Sequence, residues 1–150
     1  MTADAVLNAA KAKGVMIATA ESCTGGLVAA ALTEVPGSSQ VVECGFVTYS
    51  NNAKKELLGV SDSVLEHHGA VSEEVARAMA EGALRQARVD LAVSITGIAG
   101  PGGSEFKPEG RVCFGLAQTG QPTRAETIEF GAQGRTNVRN LARDHALALL

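Results

Sequence analysis

The chain has no tryptophan, one tyrosine (Tyr49) and four phenylalanines, so aromatic residues make up only 3% of its 150 positions. A core without large rings is assembled from Ala, Val, Leu and Ile, which suits parallel strands covered on both faces by helices. Cysteine is scarce as well. Cys23, Cys44 and Cys113 form an odd set with no CxxC spacing, which argues against a disulfide framework and reads as reduced thiols of a cytoplasmic protein. His67, His68 and His145 stand in neither HxxxH nor HExxH spacing, so no metal is expected. The longest uncharged stretch, Leu91–Ser104, falls short of the ~18–20 apolar residues of a membrane span and is broken by glycines. Residues 1–20 scatter Asp4, Lys11 and Lys13 among small apolar side chains, which is not the pattern of a signal peptide. Positive charge is not in excess either: 13 Lys and Arg against 16 Asp and Glu give a net charge of −3. That removes the electrostatic footprint of a nucleic-acid binder.

What is present is an ordinary globular balance, 45% hydrophobic and 19% charged, in a length expected to form one domain over 1–150. Glycine is abundant, with 17 residues or about 11% of the chain against a usual ~7%. The hydrophobic periodicity alternates between helix and strand. Ala5–Lys13 reads as a helix stopped at Gly14, and Val15–Ala20 as a short buried strand. Leu27–Thr33 is helical, Val41–Ser50 strand-like, and Asn51-Asn52 can cap a helix Ala53–Leu58 that ends at Gly59. Glu73–Arg88 is the clearest helix, with Ser72 as N-cap, two acidic residues in its first turn and Arg85 and Arg88 near its end. Leu91–Thr96, Arg111–Ala117 and Thr123–Phe130 follow as strands, and a helix from about Asn137 to Leu150 closes the chain. Early alternation followed by a late hairpin predicts a three-layer α/β/α sandwich with a mixed, mostly parallel sheet.

Two segments invite chemistry. Glu21–Gly26 follows a strand and opens a helix, where α/β folds place ligands and where free helix amides favour phosphate or a developing oxyanion. Ser22, Cys23 and Thr24 could each serve there as nucleophile, hydrogen-bond donor or simple cap, and Gly25 and Gly26 permit close approach. The loop Gly97–Gly110 is long enough to be functional or merely mobile. It matches neither GxxxxGK[ST] nor GxGxxG, yet its glycines allow a nest of amides around an anion, with Lys107 adding a charge. His67-His68 before Gly69 reads as a helix end, and a Cys23–His or Ser22–His pair stays open. Lys54 and Lys55 read as a solvated helix face. To act as a base, a lysine needs its pKa lowered from ~10.4 to ~7–8, a cost of roughly 4 kcal/mol.

Four blocks in register carry a resemblance. Ala20–Gly26, Gly45–Asn51 with Ala53-Lys54, Gly69–Glu73 and Thr96–Gly103 resemble the CinA C-terminal domain family, over essentially the whole chain. Stand-alone members of that family are nicotinamide-nucleotide amidohydrolases. The resemblance implies a five-stranded α/β/α fold and hydrolysis of the carboxamide of nicotinamide mononucleotide (NMN) to nicotinate mononucleotide and ammonia, in pyridine-nucleotide salvage. By motif it assigns Ser22 as nucleophile, Lys54 rather than Lys55 as general base, and Tyr49 as the residue that orients the pair or relays a proton. Glu21, Cys23, Thr24, Gly25 and Gly26 would surround the reacting amide. Thr96, Gly97, Gly100, Gly102, Gly103, Ser104 and Lys107 would hold the remainder of the substrate, phosphate included. The resemblance further implies a homodimer, with no cofactor, nucleic acid or membrane partner. The pyrophosphatase domain of longer relatives is not expected. Lys107-Pro108-Glu109-Gly110-Arg111 departs from the KPVGTV form of the family, so a different loop exit is expected. Two other readings compete: a non-catalytic nucleotide-sensing domain, and a cysteine hydrolase using Cys23 with a histidine.

Overall fold

The computed structural model describes residues 2–104 and 106–150, so Glu105, within the glycine-rich loop, lies outside the described residues. Its helices are α1 (Ala3–Lys13), α2 (Leu27–Thr33), α3 (Asn51–Leu58), α4 (Asp62–His68), α5 (Glu73–Ala87) and α6 (Arg135–Leu149), and its strands are β1 (Ile17–Glu21), β2 (Val42–Val47), β3 (Leu91–Gly97), β4 (Arg111–Gln118) and β5 (Arg124–Glu129). The sheet order is β2-β1-β3-β4-β5. β1 is parallel to both its neighbours, and β4 is antiparallel to both of its own. The sheet is therefore mixed, and β4 alone runs against the other four strands.

The chain goes from β1 to β2 on one side, then returns to place β3 on the other. That reversal opens a crevice beyond the C-terminal end of β1, where doubly wound sheets bind ligands. Ser22 is the first residue past that end.

Strand side chains alternate between two cores. Val93 and Ile95 of β3 join Val28, Leu32, Val138 and Ala142 beneath α1, α2 and α6. Ala18, Ala20 and Ala92 join Val75, Met79 and Leu58 beneath α3, α4 and α5. The second face is floored with small residues, and this explains the scarcity of rings. Ser94 Oγ donates to Ala76 O of α5 at 2.5 Å. A Cβ on Gly115 would collide with the same carbonyl group, lying 2.8 Å from Ala76 C. At Ala76 the helix lies so low on the sheet that only small residues, Ser94 and Gly115, fit beneath it.

Several boundaries differ from the expectation. β2 stops at Val47: the Thr48 amide still donates to Glu21 O at 2.9 Å, but the carbonyls of Thr48 and Tyr49 turn to Lys54. The cap of α3 is Ser50, whose Oγ accepts from Ala53 N at 3.0 Å, so the helix begins at Asn51. α4, of which only the His67-His68 end was expected, starts after Ser61, another hydroxyl cap. β1 runs on through Glu21, and α6 begins at Arg135, two residues early. Gly14 and Gly59 stop their helices in the left-handed region, with φ of 66° and 70°.

Candidate active site

The β1–α2 turn places Ser22, 8% exposed, at the crevice, with its amide donating to Ile95 O at 2.9 Å as a continuation of the sheet. Across from it, α3 delivers Lys54, which is 1% exposed. Lys54 Nζ lies 3.0 Å from Ser22 Oγ, 2.9 Å from Thr48 O and 3.3 Å from Tyr49 O. This arrangement serves both protonation states. An ammonium donates one proton to each of the three oxygens. A neutral amine donates two to the carbonyls and keeps its lone pair for the Ser22 hydroxyl proton. Lys55, the alternative base, pairs instead with Asp62 in solvent at 2.5 Å.

Ser22 and Lys54 open into a cleft of about 370 Å³, walled by Thr96–Ser104, by Ala70 and Val71, and by Tyr49, Asn51 and Arg135. A larger cleft, about 490 Å³, lies among Lys13, Gly14, Asp90 and Leu150 at the other end of the sheet. It sets no nucleophile beside a base, so chemistry favours the smaller one.

The structure moves several expected site residues out of the cleft. Glu21 is fully buried, and its carboxylate accepts from Thr24 Oγ1 at 2.6 Å, Val28 N at 2.9 Å, Ala29 N at 3.0 Å and Gly26 N at 3.3 Å. It is the anion at the positive end of α2, so those amides are not offered to a substrate. Thr24 is consumed in the same network, and Gly25 and Gly26 lie behind the nucleophile rather than along the cleft. Lys107 also points elsewhere. Its Nζ donates to His68 O at 2.6 Å and Val71 O at 2.5 Å, because the short bridge between Ser104 and Lys107 aims it at the carbonyl end of α4. The amide of Gly102 donates to Glu109 Oε1 at 2.5 Å, so part of the expected anion nest is filled from within.

Cys23, Thr96, Gly97, Gly100, Gly102, Gly103 and Ser104 do line the cleft. Thr96 Oγ1 donates to Ala70 O at 2.8 Å, tying two walls together. Gly97 is required for space: a Cβ there would stand 2.7 Å from Val112 Cγ2 and 3.1 Å from Cys23 Sγ. Tyr49 contributes its backbone carbonyl to Lys54, while its hydroxyl accepts from Arg135 Nη2 at 2.8 Å. Arg135 Nη1 also donates to Gly100 O at 2.7 Å. Arg139, one turn further along α6, donates to Cys23 O at 3.0 Å and Thr24 O at 3.3 Å. Sequence reasoning missed both arginines. Their spacing of four was the available signal, since it puts two cations on one side of a helix.

Burial pushes the Cys23 thiol up from 9.0 to about 12, with nearby Glu21 adding to the shift. The histidines are engaged elsewhere: His67 with Ser63, His68 with Glu74 and His145 with Glu126. A cysteine–histidine pair is thus not assembled. Among the described residues no group of three His, Cys, Asp or Glu side chains could hold a metal ion, and no helix is long and apolar enough to cross a membrane.

A nicotinamide-nucleotide amidohydrolase, PncC, of Enterobacter agglomerans is 61% identical over 110 residues, covering 73% of this chain and 67% of that protein. A CinA-like protein of Chlorobium phaeobacteroides is 58% identical over 125 residues, 81% of this chain but 30% of the relative. The chain spans about a third of the length of several such curated relatives. Among solved structures, a competence/damage inducible protein, CihA, of Agrobacterium tumefaciens superposes with a TM-score of 0.95 at 45% identity, covering 98% of this chain and 90% of that one. A CinA superfamily protein of Escherichia coli gives 0.94 at 39% identity, covering 97% and 84%. The CinA C-terminal domain model matches residues 1–150 throughout. With the same fold and this sequence match from end to end, the chain belongs to the CinA C-terminal domain family.

Proposed function

We propose that this chain hydrolyses the carboxamide of nicotinamide mononucleotide by a serine–lysine mechanism. The observation that carries the reading is the 3.0 Å approach of buried Lys54 Nζ to Ser22 Oγ. Support for the substrate comes from the 61% identical relative of Enterobacter agglomerans, which is a nicotinamide-nucleotide amidohydrolase by name.

In this scheme neutral Lys54 accepts the Ser22 proton through its lone pair while the Thr48 and Tyr49 carbonyls hold its two N–H bonds. Ser22 Oγ bonds to the amide carbon, and the carbonyl oxygen takes up the electron pair as an oxyanion. The amide of Cys23, next after the nucleophile, is the nearest backbone donor in sequence for that charge. Collapse of the intermediate breaks the C–N bond, and Lys54 gives its proton to the departing nitrogen, releasing ammonia. Water then attacks the acyl-enzyme; Lys54 takes its proton and returns it to Ser22 Oγ, freeing the carboxylate product. Arg135, at the mouth beside Tyr49 and Gly100, receives the phosphate in this scheme, the role the resemblance gives to Lys107. Phosphate binding remote from the amide then contributes to the reaction at the amide.

The test is ammonia release from NMN by chelator-treated protein, with Ser22→Ala and Lys54→Met alongside. Release by the wild type and a loss of more than a thousandfold in each variant is the expected result. A folded wild type that binds NMN without releasing ammonia would overturn the reading in favour of a nucleotide-sensing domain.

A further inference from the structure

Arg139 lies on α6, yet its guanidinium is committed to the turn that carries Ser22: Nε donates to Cys23 O and Nη2 to Thr24 O. No carboxylate pairs with it among the described residues. Turn and guanidinium are fitted to one another. Gly25 has φ of +58°, and a Cβ there would stand 3.3 Å from Arg139 Nη2.

The hydrogen bonds continue beyond the carbonyls. The Thr24 carbonyl shares its peptide group with Gly25 N–H, which donates to Ser22 O at 3.0 Å. The Ser22 carbonyl in turn shares its peptide group with Cys23 N–H. The Cys23 carbonyl shares its own with Thr24 N–H. Among the described residues, neither the Cys23 nor the Thr24 amide donates to another residue's acceptor. One positive charge therefore heads two chains of polarised peptide groups that end on the amides just after the nucleophile. Hydrogen bonds in series strengthen one another by roughly 10–30% each. A fixed planar fork can hold two adjacent carbonyls in a way that a single ammonium cannot.

From this we infer that Arg139 is a positioning residue for the oxyanion site: it fixes the Ser22–Gly25 turn and polarises the Cys23 amide toward charge developing on the substrate carbonyl oxygen. The inference rests on the amidohydrolase reading above. A tie that merely joined α6 to the turn would affect folding and binding, not the chemical step.

The experiment compares wild type, Arg139→Lys and Arg139→Met in two assays: ammonia release from NMN, and covalent labelling of Ser22 by a fluorophosphonate. In the second, Ser22 Oγ bonds to phosphorus, fluoride leaves and the proton goes to Lys54. The developing charge again sits on an oxygen at the oxyanion site, but no NMN is needed. The expected result is at least a tenfold fall in kcat and in labelling rate for Arg139→Met. KM, and NMN affinity measured in a Ser22→Ala background, stay within twofold. Arg139→Lys falls between, and it decides the matter if the Met variant does not fold. Labelling at the wild-type rate in both variants, or a loss confined to KM, overturns the inference. A wild type that labels but releases no ammonia overturns the substrate reading alone, and the labelling rates still judge Arg139. A wild type that does neither overturns both.

Discussion

Tyr49 Oη accepts a hydrogen bond from Arg135 Nη2 at 2.8 Å, and the residue is 60% exposed at the mouth of the cleft. The hydroxyl belongs to the rim, while the backbone carbonyl of the same residue holds Lys54. The two ends of Tyr49 therefore separate under mutation. Tyr49→Phe should leave kcat within about threefold and raise KM for NMN several-fold, since ~1 kcal/mol of one hydrogen bond corresponds to about fivefold. Arg135→Ala should raise KM for NMN at least tenfold while changing kcat/KM for the uncharged-tail riboside little. Steady-state ammonia assays on both substrates check this. An equal loss on the riboside would remove Arg135 from the phosphate.

Cys23 follows the nucleophile but should be chemically silent. With its pKa at about 12, on the order of one thiol in ten thousand is ionised at pH 8. Iodoacetamide should leave ammonia release intact, and Cys23→Ala should remain active. The same shift has a stability sign. Below pH 9 the thiol is neutral in both states. Above it the unfolded chain loses the proton and the folded chain keeps it, so stability falls by roughly 1.4 kcal/mol per pH unit between about 9 and 12. Urea midpoints measured across that range should decline less steeply in Cys23→Ala than in the wild type.

Glu21 is expected to matter to folding rather than to substrate. Its carboxylate satisfies Thr24, Gly26, Val28 and Ala29 from a fully buried position. Glu21→Ala should cost about 3 kcal/mol or more, because bonds to a charged acceptor are lost and buried donors are left without partners. Urea unfolding measures it. A loss under 1 kcal/mol would show that the N-terminus of α2 finds other acceptors.

The scaffold reaches the base through Gly82. A Cβ at this position in α5 would fall onto the Leu58 carbonyl, with Leu58 Cα at 3.0 Å. Leu58 is the last residue of α3, the helix that presents Lys54. Gly82→Ala gains ~1 kcal/mol of helix propensity but overpacks a backbone contact, which costs typically ~1–3 kcal/mol. Lower thermal stability together with a several-fold lower kcat is expected, because α3 must shift. Unchanged kcat in a destabilised variant would place the adjustment in α5 instead.

These residues also mark what could be read from the chain. The α/β layering and the strand-to-helix turn at Ser22 were legible because periodicity is local in sequence, whereas the Ser22–Tyr49–Lys54 set came from the resemblance; the structure brings Ser22 Oγ and Lys54 Nζ together but turns the Tyr49 hydroxyl to Arg135. The preference of Lys54 over Lys55 rested on resemblance; burial of one and the Asp62 pairing of the other give it a physical basis. Three things were not legible. A carboxylate can occupy the helix end it seems to guard, as Glu21 does, and only the fold tells this from a substrate contact. The direction of Lys107 depends on a bridge formed by its own loop. Arg135 and Arg139 reach the site from the far end of the chain; their spacing of four marks a shared helix face but not what that face meets.

Two of the oxygens that hold Lys54 belong to the main chain. Thr48 and Tyr49 supply peptide oxygens, which any residue at those positions would also supply. Side-chain drift at 48 and 49 therefore cannot erase the base's two carbonyl partners, whereas an insertion or deletion that displaced the chain would. The rim is built the opposite way, from the side chains of Arg135 and Tyr49. Substrate choice can thus wander by point mutation while the proton-transfer apparatus stays put, and a search for relatives with other substrates should compare their rims first.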